Sequence, residues 1–390
     1  MNVLFVNTNI SLERTDSGAV VRSMMMLDAL LRFARVDLIS FLPNDRCAVE
    51  GVNMLYCGSV GTSQGFCNNR VEKFKRLLKV KDPYSYYFKD NEKERIVDAY
   101  VKDGNYDLIV VRYFYQACEC GLIKYYDRLV IDVDDDSREA MRSAAKTART
   151  WKNRVYIRLQ SMFVQSMVDL MSKKVKLLYY SNPHHAKGPG AVYLPNVSLS
   201  LGSAENVSFD TTAMRILVVG NMDYYPNRLG VSHFIRCIFP ELKKRIPNVE
   251  LRVVGRMNDE SLIKQCNSMP GITALGFVKD LAKEYAGCRA VIVPVYLGSG
   301  TSVKTIEAMR MRRPVVSSPF GTRGYESYFK EGRDYLLAKN DGQFVEKTIQ
   351  LLTDETLNHT ISDAAYESVT NNFSREKFCD IVKESLVFES

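Results

Sequence analysis

A glycine-rich turn in the C-terminal half of the chain has residue types that suit the binding of an anion. Residues 298–301 (Gly-Ser-Gly-Thr) follow an apolar, β-branched run, and a helical stretch begins directly after them. Glycine lets the backbone approach a ligand closely, and the N–H groups and positive dipole at the start of a helix attract negative charge. The hydroxyl groups of Ser299, Thr301 and Ser302 add further hydrogen-bond donors. The segment therefore predicts an anion site.

Two charged residues extend this prediction to a nucleotide. Lys304 places a positive charge one turn into the helix, and Glu307 lies three residues later on the same helix face. The two carboxylate oxygens of Glu307 suit a vicinal diol such as a ribose, so the segment could hold a diphosphate and a sugar together. On spacing alone, a surface strand–turn–helix with a Lys–Glu pair at i, i+3 remains an equal alternative.

The composition is that of a globular protein with two domains. The 390 residues are 46% hydrophobic, and 53 Lys and Arg against 45 Asp and Glu leave a net charge of +8. These values argue against wholesale disorder, collagen and coiled coil. The length exceeds the size at which one core stops growing, so two domains are expected.

The chain also lacks the patterns of membrane-spanning and secreted proteins. No apolar run approaches the roughly 18 residues of a transmembrane helix. Residues 1–7 read as a first β-strand rather than a signal peptide. The sequence therefore predicts a cytoplasmic protein.

Short apolar strands alternate with helical stretches along both halves of the chain, which predicts parallel sheets in an α/β fold. The first series ends near residue 197, and a segment rich in Ser, Thr, Asn and Gly follows. We therefore expect two Rossmann-like domains, at 1–197 and 213–372, joined by a linker at 198–212. The C-terminal helical segment, 373–390, is a candidate to pack back on the first domain.

The cysteines indicate neither a disulfide framework nor a metal site. Their number, nine, is odd, and they are scattered along the chain. The one close pair, Cys118 and Cys120, lacks a second pair or a nearby histidine, so reduced thiols are the expected state. We expect no metal and no cofactor.

The segment 138–176 is strongly basic and contains apolar residues near i, i+4 spacing, from Trp151 to Leu170. One interpretation is an amphipathic helix that covers the sheet with a charged outer face. The other is a basic face for anionic lipid headgroups or a pyrophosphate-bearing acceptor, with the protein attached peripherally to the inner face of the plasma membrane. No DNA- or RNA-reading motif accompanies the basic balance, so a nucleic-acid partner is not expected.

The segment from residue 298 to 309 resembles the donor-site signature of retaining glycosyltransferases of the GT-B fold, the group-one glycosyl transferase family (family four). It is most similar to the bacterial polysaccharide-type branch that reads Gly-Gly-Gly-Thr-x-x-Lys-x-x-Glu-Ala-Met. Further segments resemble motifs of that branch in the same order, strongly over 215–324 and loosely before it: 16–18 with Arg22, 131–135, 194–196, 220–222 with 226–227, 253–256, 276–278 with Asp280, and 313–317.

The resemblance implies two Rossmann-like domains that face each other across a cleft, and it implies a role for each matched residue. Glu307 would hold the donor ribose, and the turn would cradle the diphosphate. Phe277 and Val278 would frame the nucleobase, while Gly18 would line the cleft floor. The residues implied in donor binding are Gly18, Asn221, Phe277, Val278, Gly298, Ser299, Gly300, Thr301, Ser302 and Glu307. The acidic residues implied at the cleft edge are Asp132, Asp134 and Asp135.

Several positions depart from the family pattern. Many members carry a glutamate on the donor sugar where this chain has Ser299, and Asn221 stands where many have a diphosphate-binding arginine. Arg228, Arg256 and Lys304 are therefore the candidate catalytic cations for the leaving diphosphate. Arg112 replaces a histidine often found at the end of a first-domain strand, and it is a further catalytic candidate.

The resemblance implies metal-independent, retaining transfer of a hexose from a nucleotide sugar to a saccharide or lipid-linked saccharide in cell-surface polysaccharide biosynthesis. Front-face attack assisted by the leaving phosphate fits best, because the turn offers no carboxylate nucleophile. The Asp132-Val133-Asp134 run also resembles the metal-diphosphate motif of the one-sheet GT-A fold, but ordinary turn and cap chemistry is the preferred explanation, because a second complete α/β series follows it. A nucleotide-sugar epimerase and a non-catalytic nucleotide-sugar-binding partner remain as alternative functions.

Overall fold

The computed structural model describes residues 1–12, 18–43, 50–60, 89–136, 138–139, 141–142, 145, 150–198, 205–298 and 300–387. The chain divides into two compact units. The first contains residues 1–196 and 375–390, and the second contains residues 197–374. In the described part of the chain the cysteines form no disulfide bond, and no helix is both long and apolar enough to cross a bilayer.

The first unit is built on a seven-stranded parallel sheet with the strand order β3-β2-β1-β4-β5-β6-β7. The strands are β1 (Asn2–Asn7), β2 (Arg35–Ser40), β3 (Asn53–Cys57), β4 (Leu108–Arg112), β5 (Leu129–Asp134), β6 (Leu177–Tyr180) and β7 (Ala191–Tyr193). The central strands are almost wholly buried because helices cover both faces of a parallel sheet, which explains their unbroken apolar sequences.

The first unit contains the α-helices α1 (Gly18–Leu31), α2 (Asn91–Asp103), α3 (Phe114–Glu119), α4 (Trp151–Ser172) and the C-terminal α12 (Arg375–Val387). Helix α12 packs against α1, where Arg375 Nε donates to Asp28 Oδ2 at 2.8 Å. The last helix is thus part of the first unit although it follows the second unit in sequence.

The second unit is a six-stranded parallel sheet with the order β10-β9-β8-β11-β12-β13. Its strands are β8 (Arg215–Val219), β9 (Glu250–Val254), β10 (Ile272–Gly276), β11 (Ala290–Val293), β12 (Val315–Ser317) and β13 (Leu336–Leu337). Its helices are α5 (Tyr225–His233), α6 (Phe239–Arg245), α7 (Glu260–Asn267), α8 (Leu281–Ala286), α9 (Val303–Arg310), α10 (Asp341–Thr353) and α11 (Glu355–Asn372).

A π turn at Phe234–Ile238 lies between α5 and α6. The described part of the expected linker, 205–212, is held on the second unit. There Arg289 Nη1 and Nη2 donate to Leu352 O and Phe209 O, and Arg313 Nη1 donates to Glu205 O.

Helix α4 exposes an apolar stripe on its outer face, beside the exposed cations that the sequence predicted there. The stripe consists of four residues with exposed side chains: Trp151 (71%), Val155 (47%), Leu159 (40%) and Met162 (66%). At 3.6 residues per turn these positions lie on the side of the helix opposite to Val164, Val168 and Met171, which are buried in the core. Sequence periodicity alone could not separate the two faces, because both are apolar.

Candidate active site

The candidate site lies where the strand order of the second sheet reverses, between β8 and β11. These neighbours pair in parallel, while the sheet continues from β8 to β9 on one side and from β11 to β12 on the other. In open α/β sheets the loops after two such strands diverge and leave a crevice at their carboxyl ends. The loop after β8 begins at Gly220, and the loop after β11 contains the glycine-rich turn.

Two glycines let these loops approach each other closely. A Cβ atom on Gly230, in α5, would lie 1.7 Å from Pro294 O, so the helix packs directly against the backbone that leaves β11. Gly255 has φ +127°, and a Cβ there would lie 1.9 Å from Gly220 O. The loops after β8, β9 and β11 therefore meet through backbone rather than through side chains.

The turn leaves an unsatisfied polar atom at the start of α9. Gly298 has φ +144°, a conformation that L residues rarely adopt. Ser302 is the N-cap residue, but its side chain makes no capping hydrogen bond. Its Oγ is buried and has no hydrogen-bond partner among the described residues. A buried hydroxyl without a partner is uncommon, and here it lies at a helix start that favours anions.

Lys304 reaches from α9 to the first turn of α5, the helix that follows the loop after β8. Its Nζ donates to Asn227 Oδ1 at 2.6 Å, and Asn227 Nδ2 in turn donates to Asn221 O at 2.9 Å. Burial lowers the pKa of Lys304 to about 8, although the nearby Glu307 carboxylate acts in the opposite direction. The amine has a neutral partner in Asn227, so its positive charge is available for an anionic ligand.

Glu307 is the second ionisable group of this helix. Tyr285 in α8 donates its hydroxyl to Glu307 Oε2 at 3.5 Å. Burial raises the pKa of Glu307 to about 7, partly offset by Lys304. The paired shifts of Lys304 and Glu307 show a shared, poorly solvated environment, as is common at functional sites.

Arg323 is a further cation at the turn that sequence reasoning did not assign. It follows the 3₁₀ turn at Pro319–Thr322, and its Nη2 donates to Gly300 O at 3.4 Å. Its guanidinium also stacks on the Phe320 ring, with 4.3 Å to the ring centroid. The same ring lies beside Gly298. Only the parallel pairing of β11 with β12 brings this loop to the turn, so the sequence carried no local signal for it.

The other predicted cations lie in neighbouring loops. Arg228 on α5 faces Asp259, with 3.4 Å between Nε and Oδ2, and stacks over Tyr225. Arg256 is exposed in the loop after β9, where its carbonyl accepts from Met222 N at 2.8 Å. Neither residue makes a direct link between α9 and α5, as Lys304 does.

The remaining predicted donor residues occupy the same edge of the second sheet. Asn221 is exposed, but its Oδ1 accepts from Asp223 N at 3.0 Å and closes a local turn. Phe277 lies in the loop after β10 and is 65% exposed, while Val278 packs partly on the core. Thr301 and Gly300 are described and partly buried, whereas Ser299 lies outside the described residues.

A buried ion-pair network in the first unit contains three of the other predicted site residues. Arg22 on α1 donates from Nε and Nη2 to both oxygens of Asp132, at 2.8–3.0 Å. Arg112 at the end of β4 lies 3.0 Å from Asp132 and 2.6 Å from Asp134. Arg22, Arg112 and Asp132 are at most 2% exposed.

This network corrects two expectations. Asp132 is fully buried between two guanidinium groups, so it does not stand at an open edge. Arg112 is 1% exposed and already bonded, so it holds β4 and β5 together instead of facing a substrate. The same pairing supplies the charge balance of the Asp-x-Asp run, which the GT-A interpretation had assigned to a metal ion.

The network also reaches residues 194–196, one of the segments that resemble the family. Arg22 Nη1 donates to Leu194 O and to Asn196 Oδ1, each at 3.0 Å. Although burial would raise the pKa of Asp134, Arg22 and Arg112 hold it below its usual value. Asp134 also has φ 58°, which is strained for this residue type. Asp135 is partly buried, and Gly18 is the exposed first residue of α1, next to the undescribed residues 13–17.

Comparison with known proteins agrees with this geometry. Residues 213–354, which contain β8 to β13 and the turn, match the family model described as glycosyl transferases group 1. Over these residues the chain is similar to the group 1 glycosyl transferases. A curated relative is 25% identical over 233 residues, which are 57% of this chain and 59% of the relative. It is described as an uncharacterized 44.6 kDa protein in the cps region of Klebsiella pneumoniae.

Solved structures show that the fold is GT-B over the whole chain. Sucrose-phosphate synthase from Thermosynechococcus elongatus superposes with a TM-score of 0.67 at 15% identity, covering 99% of this chain and 100% of that one. HepE from Anabaena in complex with UDP-glucose gives a TM-score of 0.64 at 12% identity and 99% coverage of both chains. The two parallel-sheet α/β domains predicted from the sequence are confirmed.

Proposed function

We propose that this protein is a retaining group 1 glycosyl transferase. It moves a hexose from a nucleotide sugar to a saccharide or lipid-linked saccharide in cell-surface polysaccharide biosynthesis. The cps region of the curated relative supports the pathway class, and the UDP-glucose complex of HepE supports the donor class. Both are properties of those proteins that we extend to this chain by proposal.

The observation that carries the proposal is the start of α9. The Ser302 hydroxyl, which has no partner in the described part of the chain, lies with the helix N-terminus and the Lys304 amine at one end of the helix, at the switch point of the sheet. Hydroxyl and amide donors with a cation match a diphosphate, and Glu307 follows one turn later with two acceptor oxygens for ribose hydroxyls.

The chemistry follows from where negative charge develops. As the bond between the anomeric carbon and the diphosphate oxygen breaks, electron density moves onto the leaving diphosphate. Preorganised amides and Lys304 stabilise that charge without reorganisation. The turn carries no carboxylate to act as a nucleophile, so the acceptor hydroxyl attacks on the face that the diphosphate leaves, and the hydroxyl proton passes to the departing phosphate oxygen.

Donor turnover by the purified full-length protein tests the proposal. We expect slow release of nucleoside diphosphate from one member of a UDP- and GDP-sugar panel, and proton NMR at early times should show that the sugar keeps its anomeric configuration. Interconversion of sugars without release would instead identify an epimerase. Binding without any turnover, also with saccharide acceptors, would identify a non-catalytic partner.

The ribose role of Glu307 has its own test. Wild-type protein should bind UDP about 10- to 100-fold more tightly than 2′,3′-dideoxy-UDP, the range expected for hydrogen bonds to a charged group. The variant Glu307→Gln should lose most of this preference in calorimetry. Glu260→Gln, an exposed glutamate at the start of α7, is the matched control. An unchanged preference in Glu307→Gln would refute the assignment.

Nucleotide affinity should be greatest between about pH 7 and pH 8. The amine of Lys304 loses its proton, and its attraction for phosphate, as the pH rises through its pKa of about 8. The carboxyl of Glu307 becomes protonated, and a weaker acceptor, as the pH falls through its pKa of about 7. Calorimetric titration of UDP from pH 6 to 10 measures both limbs. Lys304→Met should abolish the alkaline limb, and a wild-type affinity that stays constant up to pH 10 would contradict this account.

We also propose that catalysis needs no divalent cation, since the amides and Lys304 supply the stabilising charge. The turnover rate should then be unchanged by EDTA. Dependence on added magnesium or manganese would show that a metal carries the diphosphate instead.

We propose further that the outward stripe of α4 attaches the protein to the inner face of the plasma membrane. The stripe of Trp151, Val155, Leu159 and Met162 is exposed, and cations flank it along the helix, among them Lys152, Arg154 and Arg158. An exposed apolar face bordered by lysine and arginine suits the headgroup region of an anionic bilayer. This arrangement would bring the enzyme to a lipid-linked acceptor.

Vesicle binding should depend on the apolar side chains of the stripe and on the cations that flank it. Trp151 is the single tryptophan, so its emission should shift to shorter wavelength with phosphatidylglycerol vesicles and not with phosphatidylcholine vesicles. The double change Leu159→Ser and Met162→Ser should reduce binding at least about tenfold, given the apolar area removed. Tyr126→Ser removes an exposed aromatic side chain elsewhere in the first unit and serves as the control. Equal binding of both variants would remove the stripe as the attachment surface.

A further inference from the structure

Three side chains of different chemistry lie close together in the second unit, and none of them is among the donor-site residues described above. His233 is the last residue of α5, Cys237 lies in the π turn that follows, and Asp341 is the first residue of α10. One ligand atom from each, an imidazole nitrogen, a thiol sulfur and a carboxylate oxygen, lies within 4.8 Å of the other two.

The separations suit a shared metal ion. Zinc binds nitrogen, oxygen and sulfur at about 2.0–2.3 Å, which places tetrahedral ligands about 3.3–3.8 Å apart. His233 Nε2 and Asp341 Oδ1 are 2.8 Å apart, and the third ligand atom lies within the 4.8 Å limit. Small side-chain rotations therefore bring all three into one coordination sphere.

The backbone favours this convergence. His233 and Cys237 are four residues apart, a spacing that places both on one face of a helix, and the turn between them is a π turn. Such turns occur frequently at functional sites. Asp341 reaches the pair from a helix more than 100 positions later in the sequence, so its approach is a tertiary contact.

A comparison within the same unit separates this cluster from an ordinary surface pair. His359 also lies beside a carboxylate, Glu355, at 3.8 Å and at similar exposure, but that pair belongs to no group of three potential ligands among the described residues. At His233 the added group is a thiol, a soft ligand that selects zinc and other transition metals over magnesium and calcium. The cluster is only partly buried, which leaves room for a water molecule as a fourth ligand.

We propose that His233, Cys237 and Asp341 form a binding site for a divalent transition metal, with zinc as the best match. The imidazole of His233 also contacts the Tyr296 ring edge-on at 5.4 Å between centroids, and Tyr296 stands two residues before Gly298. The site therefore adjoins the segment that leads from β11 into the turn. It is distinct from the proposed donor chemistry, which needs no metal.

Cobalt and zinc binding to the full-length protein tests the site without relying on activity. Metal-free protein titrated with Co²⁺ should develop a thiolate-to-cobalt charge-transfer band, and excess Zn²⁺ should remove it. Cys237→Ser should lose the band, while His233→Gln and Asp341→Asn should each weaken Co²⁺ binding at least about tenfold, as expected for loss of one of three protein ligands. His359→Gln is the matched control and should bind as wild type does.

A second measurement reads Cys237 directly. Zinc should protect this thiol from iodoacetamide, as quantified by peptide mass spectrometry, and His233→Gln should lose the protection although its thiol is intact. Thermal melting verifies that each variant is folded. A band that persists in Cys237→Ser, or protection that persists in His233→Gln, would overturn the proposal. Loss of the site with donor turnover intact, or the reverse, separates this inference from the proposed function.

Discussion

Replacing Lys304 with methionine is expected to lower kcat for glycosyl transfer by about 100- to 1000-fold, the range for loss of one preorganised group that stabilises transition-state charge. Methionine keeps an unbranched apolar chain as far as Cε, the atom that in Lys304 lies 3.4 Å from an ideal Cβ position on Gly220. It removes only the charge and the hydrogen bond to Asn227. Steady-state rates at saturating donor measure the effect.

A matched substitution gives the control for this prediction. Lys264→Met removes an exposed lysine from the last turn of α7 and should leave kcat unchanged. If Lys304→Met kept more than about a tenth of the wild-type rate, the leaving-group role would fall to another cation, since charge stabilisation of this kind contributes at least that factor. Arg323→Met would then be the next variant to measure, because Arg323 contacts the turn itself.

The variant Arg22→Met is expected to lower the free energy of unfolding of the first unit by about 3 kcal/mol, because it removes one of the two guanidinium groups that balance a fully buried carboxylate. Asp132 is fully buried and would keep Arg112 as its one remaining guanidinium partner in the network. The bonds from Arg22 to Leu194 and Asn196 would be lost as well. Hydrogen exchange of β5 peptides as a function of urea measures the change in this unit.

An exposed arginine one residue past the end of the same helix provides the comparison. Arg32 lies 3.5 Å from Asp28 at i, i+4, and both side chains are partly exposed. Arg32→Met should therefore cost less than about 1 kcal/mol, as surface ion pairs do. Similar costs for the two variants would show that the buried network contributes no more than a surface pair.

Much of the fold could be predicted from the sequence. Buried parallel strands have continuous apolar, β-branched sequences, so a strand such as Leu108–Arg112 can be recognised from its own residues. The short strand β13 and the strand β3 were not predicted. Their sequences are too short or too mixed to carry a periodic signal, and they form because a neighbouring strand supplies hydrogen bonds.

The candidate site could likewise be predicted only in part from the sequence. The donor turn, Lys304 and Glu307 lie within ten residues and belong to one strand–turn–helix, so their chemistry could be read from adjacent positions. Arg112 and Asp132 gave the opposite result. The resemblance implied a catalytic role for Arg112 and a cleft-edge position for Asp132. Both side chains are instead buried and form an ion pair with each other. The exposure of Trp151 on α4 could not be predicted from the sequence either, because both faces of that helix carry apolar residues.

Local sequence by itself determined the strand and helix periodicity, the two-domain organisation and the resemblance of the donor segment, because each depends on residues that are close along the chain. The tertiary structure alone decided which charges meet. Lys304 donates to Asn227, which is 77 positions away in the sequence, and Arg22 donates to Asp132, which is 110 positions away. The physical reason is that burial and partner choice depend on which strands pair side by side, and strand order in a parallel sheet does not follow the order of the sequence.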